Sequence, residues 1–243
     1  MEIEHKYEGK FDVAEVHDEV ANGIESFNMM ACKLDILTLL ESLEHGDLGC
    51  QTVASKLLSV ISSADEKKLS IAELAIPLLI EKLKDPALPI RSHVATTLCN
   101  PVGASNCNLF DKDDANSLFK TPGIIDLLQF GHIITGRLHA AELLWRLSQN
   151  FANMALIGEC IDAIPTLIAF LRESHNGIRQ YCLGTLCNLS ESPKFISNIG
   201  IHDPGNALNT LFGNGGPQEK ADASRIIENL GRNFSWTESR SQE

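Results

Sequence analysis

The chain has 243 residues, 44% of them hydrophobic and 6% aromatic, with a formal net charge of −12. That much apolar material fills one sizeable core or one elongated stack of helices. The acidic balance, without a basic stripe, argues against nucleic-acid binding, and no apolar run reaches the roughly 18 residues of a membrane-spanning helix.

The opening MEIEHKYEGKFD is acidic and lacks the apolar centre of a secretory signal. The charge is uneven: residues 1–66 hold 14 acids and 4 bases, a net of −10, whereas residues 67–243 hold 18 and 16, a net of −2. Val13, Val16, Val20 and Ile24 fall at helical spacing, and Phe27, Met30, Leu34 and Leu37 continue the pattern. Residues 1–26 are expected to form an acidic helical cap, in part disordered. Beyond them a solenoid is expected over 27–234.

From here the chain repeats itself. The segment CQTVASKLLSVIS centres on Leu58, IRSHVATTLCN on Leu98, RLHAAELLWRLS on Leu144, GIRQYCLGTLCNLSES on Leu186 and KADASRIIENLG on Ile227, at intervals of 40, 46, 42 and 41 residues. Four positions earlier stand Ala54, Val94, Ala140, Cys182 and Ala223; three positions later, Ile61, Pro101, Leu147, Leu189 and Leu230. These positions share one helix face, so each segment presents a buried seam.

A second apolar element precedes each: DILTLLESL, LAIPLLIEKL, GIIDLLQF, DAIPTLIAFL and PGNALNTLF. Pro77 and Pro165 suit a first helical turn, where a missing N–H matters little. SADEKKLSIA, FANMALIGEC and PKFISNIG read as brief extra helices before several of them. Residues 101–120 are a polar insertion that lengthens one interval, and Pro101 is expected to end its helix. The polar residues 235–243 read as a disordered tail. Repetition of helices alone near 40 residues marks an α-solenoid.

The stretch GECIDAIPTLIAFLRESHNGIRQYCLGTLCNLSES resembles an armadillo repeat, with the helix G-x-I-P-x-L-x-x-L-L followed by A-x-x-A-L-x-N-L-S. The likeness is good over Phe151–Ser192, fair over Leu74–Asn100 and Arg137–Ser148, and weak outside them. Cys182 and Gly184 stand where that family prefers alanine. The resemblance implies an all-α fold, a right-handed α-α superhelix of about five armadillo-like repeats.

Two positions after each reference residue lie Val60, Asn100, Arg146, Asn188 and Asn229. Spacing puts them on one face with the residues five and two positions before the reference. That face carries His93 and Thr96; His139 and Glu142; Tyr181 and Gly184; Asp222 and Arg225. In armadillo proteins the asparagine lines a concave groove and bonds the backbone of an extended peptide, a role this resemblance implies for Asn100, Asn188 and Asn229. The alternative is that these amides bond a helix end or the neighbouring repeat. The candidate groove is therefore His93, Asn100, His139, Glu142, Arg146, Tyr181, Asn188, Arg225 and Asn229. The importin-α type places a tryptophan four residues before the asparagine; here Lys56, Thr96, Glu142, Gly184 and Arg225 stand there, which argues against nuclear-signal recognition of that kind. Trp145, one residue before the ladder, reads as facing elsewhere.

Seven positions before the reference come Gln51, Arg91, Arg137, Arg179 and Lys220. The favoured reading is that the guanidinium groups bond loop carbonyls or acids such as Asp85 and Glu173; the other is a strip for an acidic peptide.

No constellation of catalytic residues emerges. DKDDANSLFKTP lacks the central glycine and terminal glutamate of a calcium loop, and GNGGPQEK lacks phosphate-loop spacing. His93 and His139 share a register, but zinc needs at least three protein ligands. The seven cysteines form no CxxC pair, and their positions suit a reducing compartment. No catalytic residue, metal or cofactor is expected. The sequence reads as a non-enzymatic scaffold of the cytoplasm, or also of the nucleus, that binds a protein or peptide partner. The second reading is a chaperone cofactor of the armadillo-type nucleotide-exchange or co-chaperone kind.

Overall fold

A computed structural model describes residues 36–63, 65–102, 123–131 and 134–240. The expected cap at 1–26 and nearly all of the insertion lie outside the described residues. Among the described residues there are twelve helices and no strand.

Helix α1 (Ile36–His45) and α2 (Leu48–Ile61) form the first pair; Asp47 caps α2 by accepting from the N–H of Cys50 at 2.8 Å. Helix α3 (Asp65–Lys82) and α4 (Leu88–Val102) form the second, α5 (Gly123–Phe130) and α6 (Ile134–Ser148) the third. The fourth unit has three parts: α7 (Phe151–Glu159), α8 (Ala163–Ala169) with a 3₁₀ turn over Phe170–Arg172, and α9 (Asn176–Ser190). The fifth repeats that plan with α10 (Pro193–Ile201), α11 (Gly205–Asn214) and α12 (Pro217–Arg240).

Two proline expectations fail. Pro77 does not begin a helix; it sits inside α3, where the expected short helix and its successor run together as 18 residues. The chain before it supplies an unbroken series of helix formers, and only one turn bond is lost. Nor does Pro101 end its helix, since α4 continues to Val102. Helix α12 likewise runs on to Arg240, into the stretch read as a tail; TESR contains no proline or glycine to stop it. Pro165 does fall in the first turn of α8.

The long helices stack in series, α2 on α4, α4 on α6, α6 on α9 and α9 on α12. Their seam residues form the core: Leu58, Ala54, Val94, Ala140, Leu144, Leu147, Cys182, Leu186, Leu189 and Ala223 are all buried to within 1% exposure, and Leu98 to 2%. A fully buried leucine contributes about 1.5–3 kcal/mol relative to an exposed one, so the repeated seam is what holds neighbouring units together. On α6, α9 and α12 another side of the helix is left to line a cleft, the described part of the expected trough.

Candidate functional site

Where α6, α9 and α12 meet there is a cleft of about 500 Å³. Trp145 of α6 and Gln149 just beyond its end line one side, Gln180, Tyr181, Gly184 and Asn188 line it from α9, and Gln218, Asp222 and Arg225 from α12. Four of these nine residues carry primary amides, each offering a donor and an acceptor.

Trp145 does not face elsewhere. Its ring lies 5.4 Å from that of Tyr181, tilted by 37°, and together they wall the cleft. The indole uses the space that a side chain at Gly184 would fill: a Cβ there would stand 2.7 Å from Trp145 Cδ1 and 2.8 Å from Nε1. A face computed within one helix could not show this, because the vacancy belongs to the next repeat. The glycine at 184, three register positions before the place of Trp145 in the preceding repeat, was the available signal.

The asparagines bond across repeats. Asn188 Nδ2 donates to Ser148 Oγ at 2.8 Å and Asn229 Nδ2 to Ser190 Oγ at 2.9 Å. Asn100 Nδ2 donates to Ser62 Oγ at 2.8 Å and to the carbonyl of Ser59 at 3.3 Å. Asn188 alone of the three lines the cleft. Arg146, which replaces asparagine in the third repeat, turns to Glu142 on its own helix with bonds of 3.0 and 2.5 Å, its guanidinium 6.0 Å from the Trp145 ring. Arg225 is exposed and pairs with Glu191 at the cleft edge.

The two histidines meet hydroxyls of the preceding repeat, not each other. His93 Nδ1 lies 3.1 Å from Ser55 Oγ, and His139 Nδ1 lies 2.8 Å from Thr96 Oγ1. Both hydroxyls already donate to carbonyls of their own helices, Ser55 to Thr52 and Thr96 to Ser92, which assigns the ring N–H to Nδ1. Burial holds both imidazoles below their ordinary pKa; Lys56 adds to this at His93, while Glu142 and the Thr135 carbonyl oppose it at His139.

Burial also raises the Asp222 carboxyl, against a hydrogen bond from Gln218 at 3.0 Å, the nearby Arg225 charge and the Cys187 thiol. The Cys99 and Cys187 thiols are pushed up to about 12, chiefly by burial, so neither is a nucleophile at neutral pH. Among the described residues no three His, Cys, Asp or Glu side chains are grouped to hold a metal ion.

Two bases of the ladder, Arg137 and Arg179, bond carbonyls and acids, while the buried Nε of Arg91 meets no acceptor among the described residues. Arg137 donates from Nε to the Leu128 carbonyl at 3.2 Å, pairs with Glu173 at 2.6 Å and lies 4.7 Å over Phe170. Arg179 reaches the Glu173 carbonyl at 2.7 Å, Asn176 Oδ1 at 2.8 Å and Glu219 at 2.7 Å. Gln51 donates to the Gly46 carbonyl at 2.9 Å. Asp85 instead pairs with Lys82 and accepts from the N–H of Ala87.

No family model matches the sequence, and no curated protein matches it either. Solved structures do match. The fold they define is a helical repeat scaffold: an engineered protein superposes with a TM-score of 0.69 at 15% identity, covering 93% of this chain and 94% of its own. More narrowly, it is an armadillo-like repeat solenoid. A designed armadillo repeat protein matches with a TM-score of 0.68 at 14% identity, over 90% of this chain and 91% of its own. Another, solved in complex with the peptide (KR)4, matches with a TM-score of 0.64 at 12% identity over the same shares.

Proposed function

We propose that this chain is a non-enzymatic interaction scaffold that holds an extended peptide, or an extended segment of a protein partner, in the trough. The observation that carries this reading is the cleft between α6, α9 and α12, where Asn188, Gln149, Gln180 and Gln218 surround the Trp145–Tyr181 wall. Amides serve the polar backbone of an extended chain; the rings serve an apolar or cationic side chain. The armadillo-like scaffold is suited to this use, and one designed member of similar fold was solved with a peptide. Free thiols buried at Cys99, Cys182 and Cys187 support work in a reducing compartment, the cytoplasm or also the nucleus.

The test is selection of displayed random dodecapeptides on the intact protein, followed by titration of the winners against the double variant Asn188→Ala/Asn229→Ala. Weakened binding with preserved helicity supports the groove. If binding and stability both stay unchanged, the groove assignment is wrong; if folding alone is lost, the amides are purely structural.

A further inference from the structure

The asparagine ladder is paired with a serine ladder one repeat back. Ser62, Ser148 and Ser190 each stand four positions after the reference residue of their own repeat, and each accepts from the asparagine of the next. All three serines are buried. Each hydroxyl hydrogen goes to a carbonyl of its own helix: Ser62 to Ser59 at 2.8 Å, Ser148 to Trp145 at 2.7 Å, Ser190 to Cys187 at 2.7 Å. A hydroxyl has one hydrogen, so toward the ladder these oxygens only accept. They therefore meet the NH₂ end of the amide and never its oxygen.

The sequence carries the same pairing. Repeats one, three and four supply a serine, and repeats two, four and five answer with an asparagine. Where the second repeat has Val102, the third has Arg146, which turns to Glu142 instead.

We infer that Ser148 and Ser190 are positioning residues that fix the planes of Asn188 and Asn229, so that both amides offer Oδ1 and the second Nδ2 hydrogen in the same sense to the N–H and C=O of an extended peptide backbone. This rests on the peptide reading above. The side-chain amides of Asn188 and Asn229 make no other hydrogen bond to a described residue. Asn100 differs, because its Nδ2 serves both Ser62 and Ser59 and leaves only the oxygen for a ligand. A fixed sense of the amides gives the trough a direction, so a bound strand runs one way.

The experiment uses the full chain and the variants Ser148→Ala, Ser148→Thr, Ser190→Ala and Ser190→Thr. Side-chain ¹⁵N relaxation reads the order of the asparagine amides without any ligand. Ser148→Ala loosens Asn188 and spares Asn229, Ser190→Ala does the reverse, and threonine at either place restores order. The tightest dodecapeptide from the display selection above, and versions with one backbone N-methyl group at each position in turn, are titrated at physiological salt. Loss of the aligned bond lowers affinity for the selected peptide about five- to tenfold and abolishes the sensitivity to N-methylation at one position. Unchanged amide order in both alanine variants overturns the positioning role, whatever happens to the melting temperature. Loosened amides with equal or absent binding of every peptide leave the serine–asparagine lock standing and overturn the backbone assignment together with the peptide reading.

Discussion

Replacing Glu219 by glutamine tests the inter-repeat brace at the last junction. The two carboxylate oxygens have separate tasks: Oε1 accepts from Arg179 Nε at 2.7 Å, and Oε2 accepts from the N–H of Gly216 at 2.8 Å, just before α12 begins. Glu219 thus closes one half of a capping box while joining α9 to α12. It is 8% exposed. Glutamine keeps the shape but has a single acceptor oxygen, and its NH₂ group would face an N–H on the other side. One donor is then left without an acceptor, which costs about 1–3 kcal/mol. The pair also loses its charge, but Arg179 keeps its bonds to Glu173 and Asn176, so we expect about 2–3 kcal/mol in all. Because α12 is the last described helix, the loss falls on its local opening. Amide hydrogen exchange over residues 217–232 should accelerate about 30- to 150-fold, with α2 and α4 unaffected. Equal protection of α12 in both proteins would refute the brace.

Stability should decline in two acid windows. His93 and His139 have folded pKa values below the unfolded 6.5, so the unfolded chain binds more protons and stability falls as pH drops through 6.5 toward the folded values. Glu173 is held down by the Arg137 hydrogen bond, and Glu219 is held down although burial opposes it; their contribution is present above the unfolded pKa of about 4.3 and is lost as pH falls through the folded values. Denaturant midpoints across pH 3–8 check both windows, and His93→Gln with His139→Gln should flatten the upper one alone. Gly184→Ala should displace the Trp145 indole: the helix gains about 1 kcal/mol in propensity, crowding removes about 1–3, and a crystal structure of the variant should show the ring moved from Tyr181. Leu186→Ala should destabilise by about 2–5 kcal/mol, read by denaturation, because the side chain is 1% exposed in the seam of α9.

The helices, their period and the seam were legible in the residues, because a stack of like units needs the same apolar triplet in each, and Leu58, Leu98, Leu144, Leu186 and Ile227 mark it. The ladder registers followed from the same count, as did the task of Arg137 and Arg179, since a guanidinium beside a loop carbonyl and an acid has few other uses. The proline positions misled: whether Pro77 or Pro101 interrupts a helix depends on how its flanking turns are packed, which local preference does not record. The tertiary structure alone decided what crosses from one repeat to the next. Gly184 makes room for Trp145, Ser148 takes the Asn188 amide, and His139 finds Thr96, all through side chains about 40 residues apart. A helical face is a property of one segment and can be counted; a contact between two faces depends on their offset and rotation, and only the packed stack fixes those.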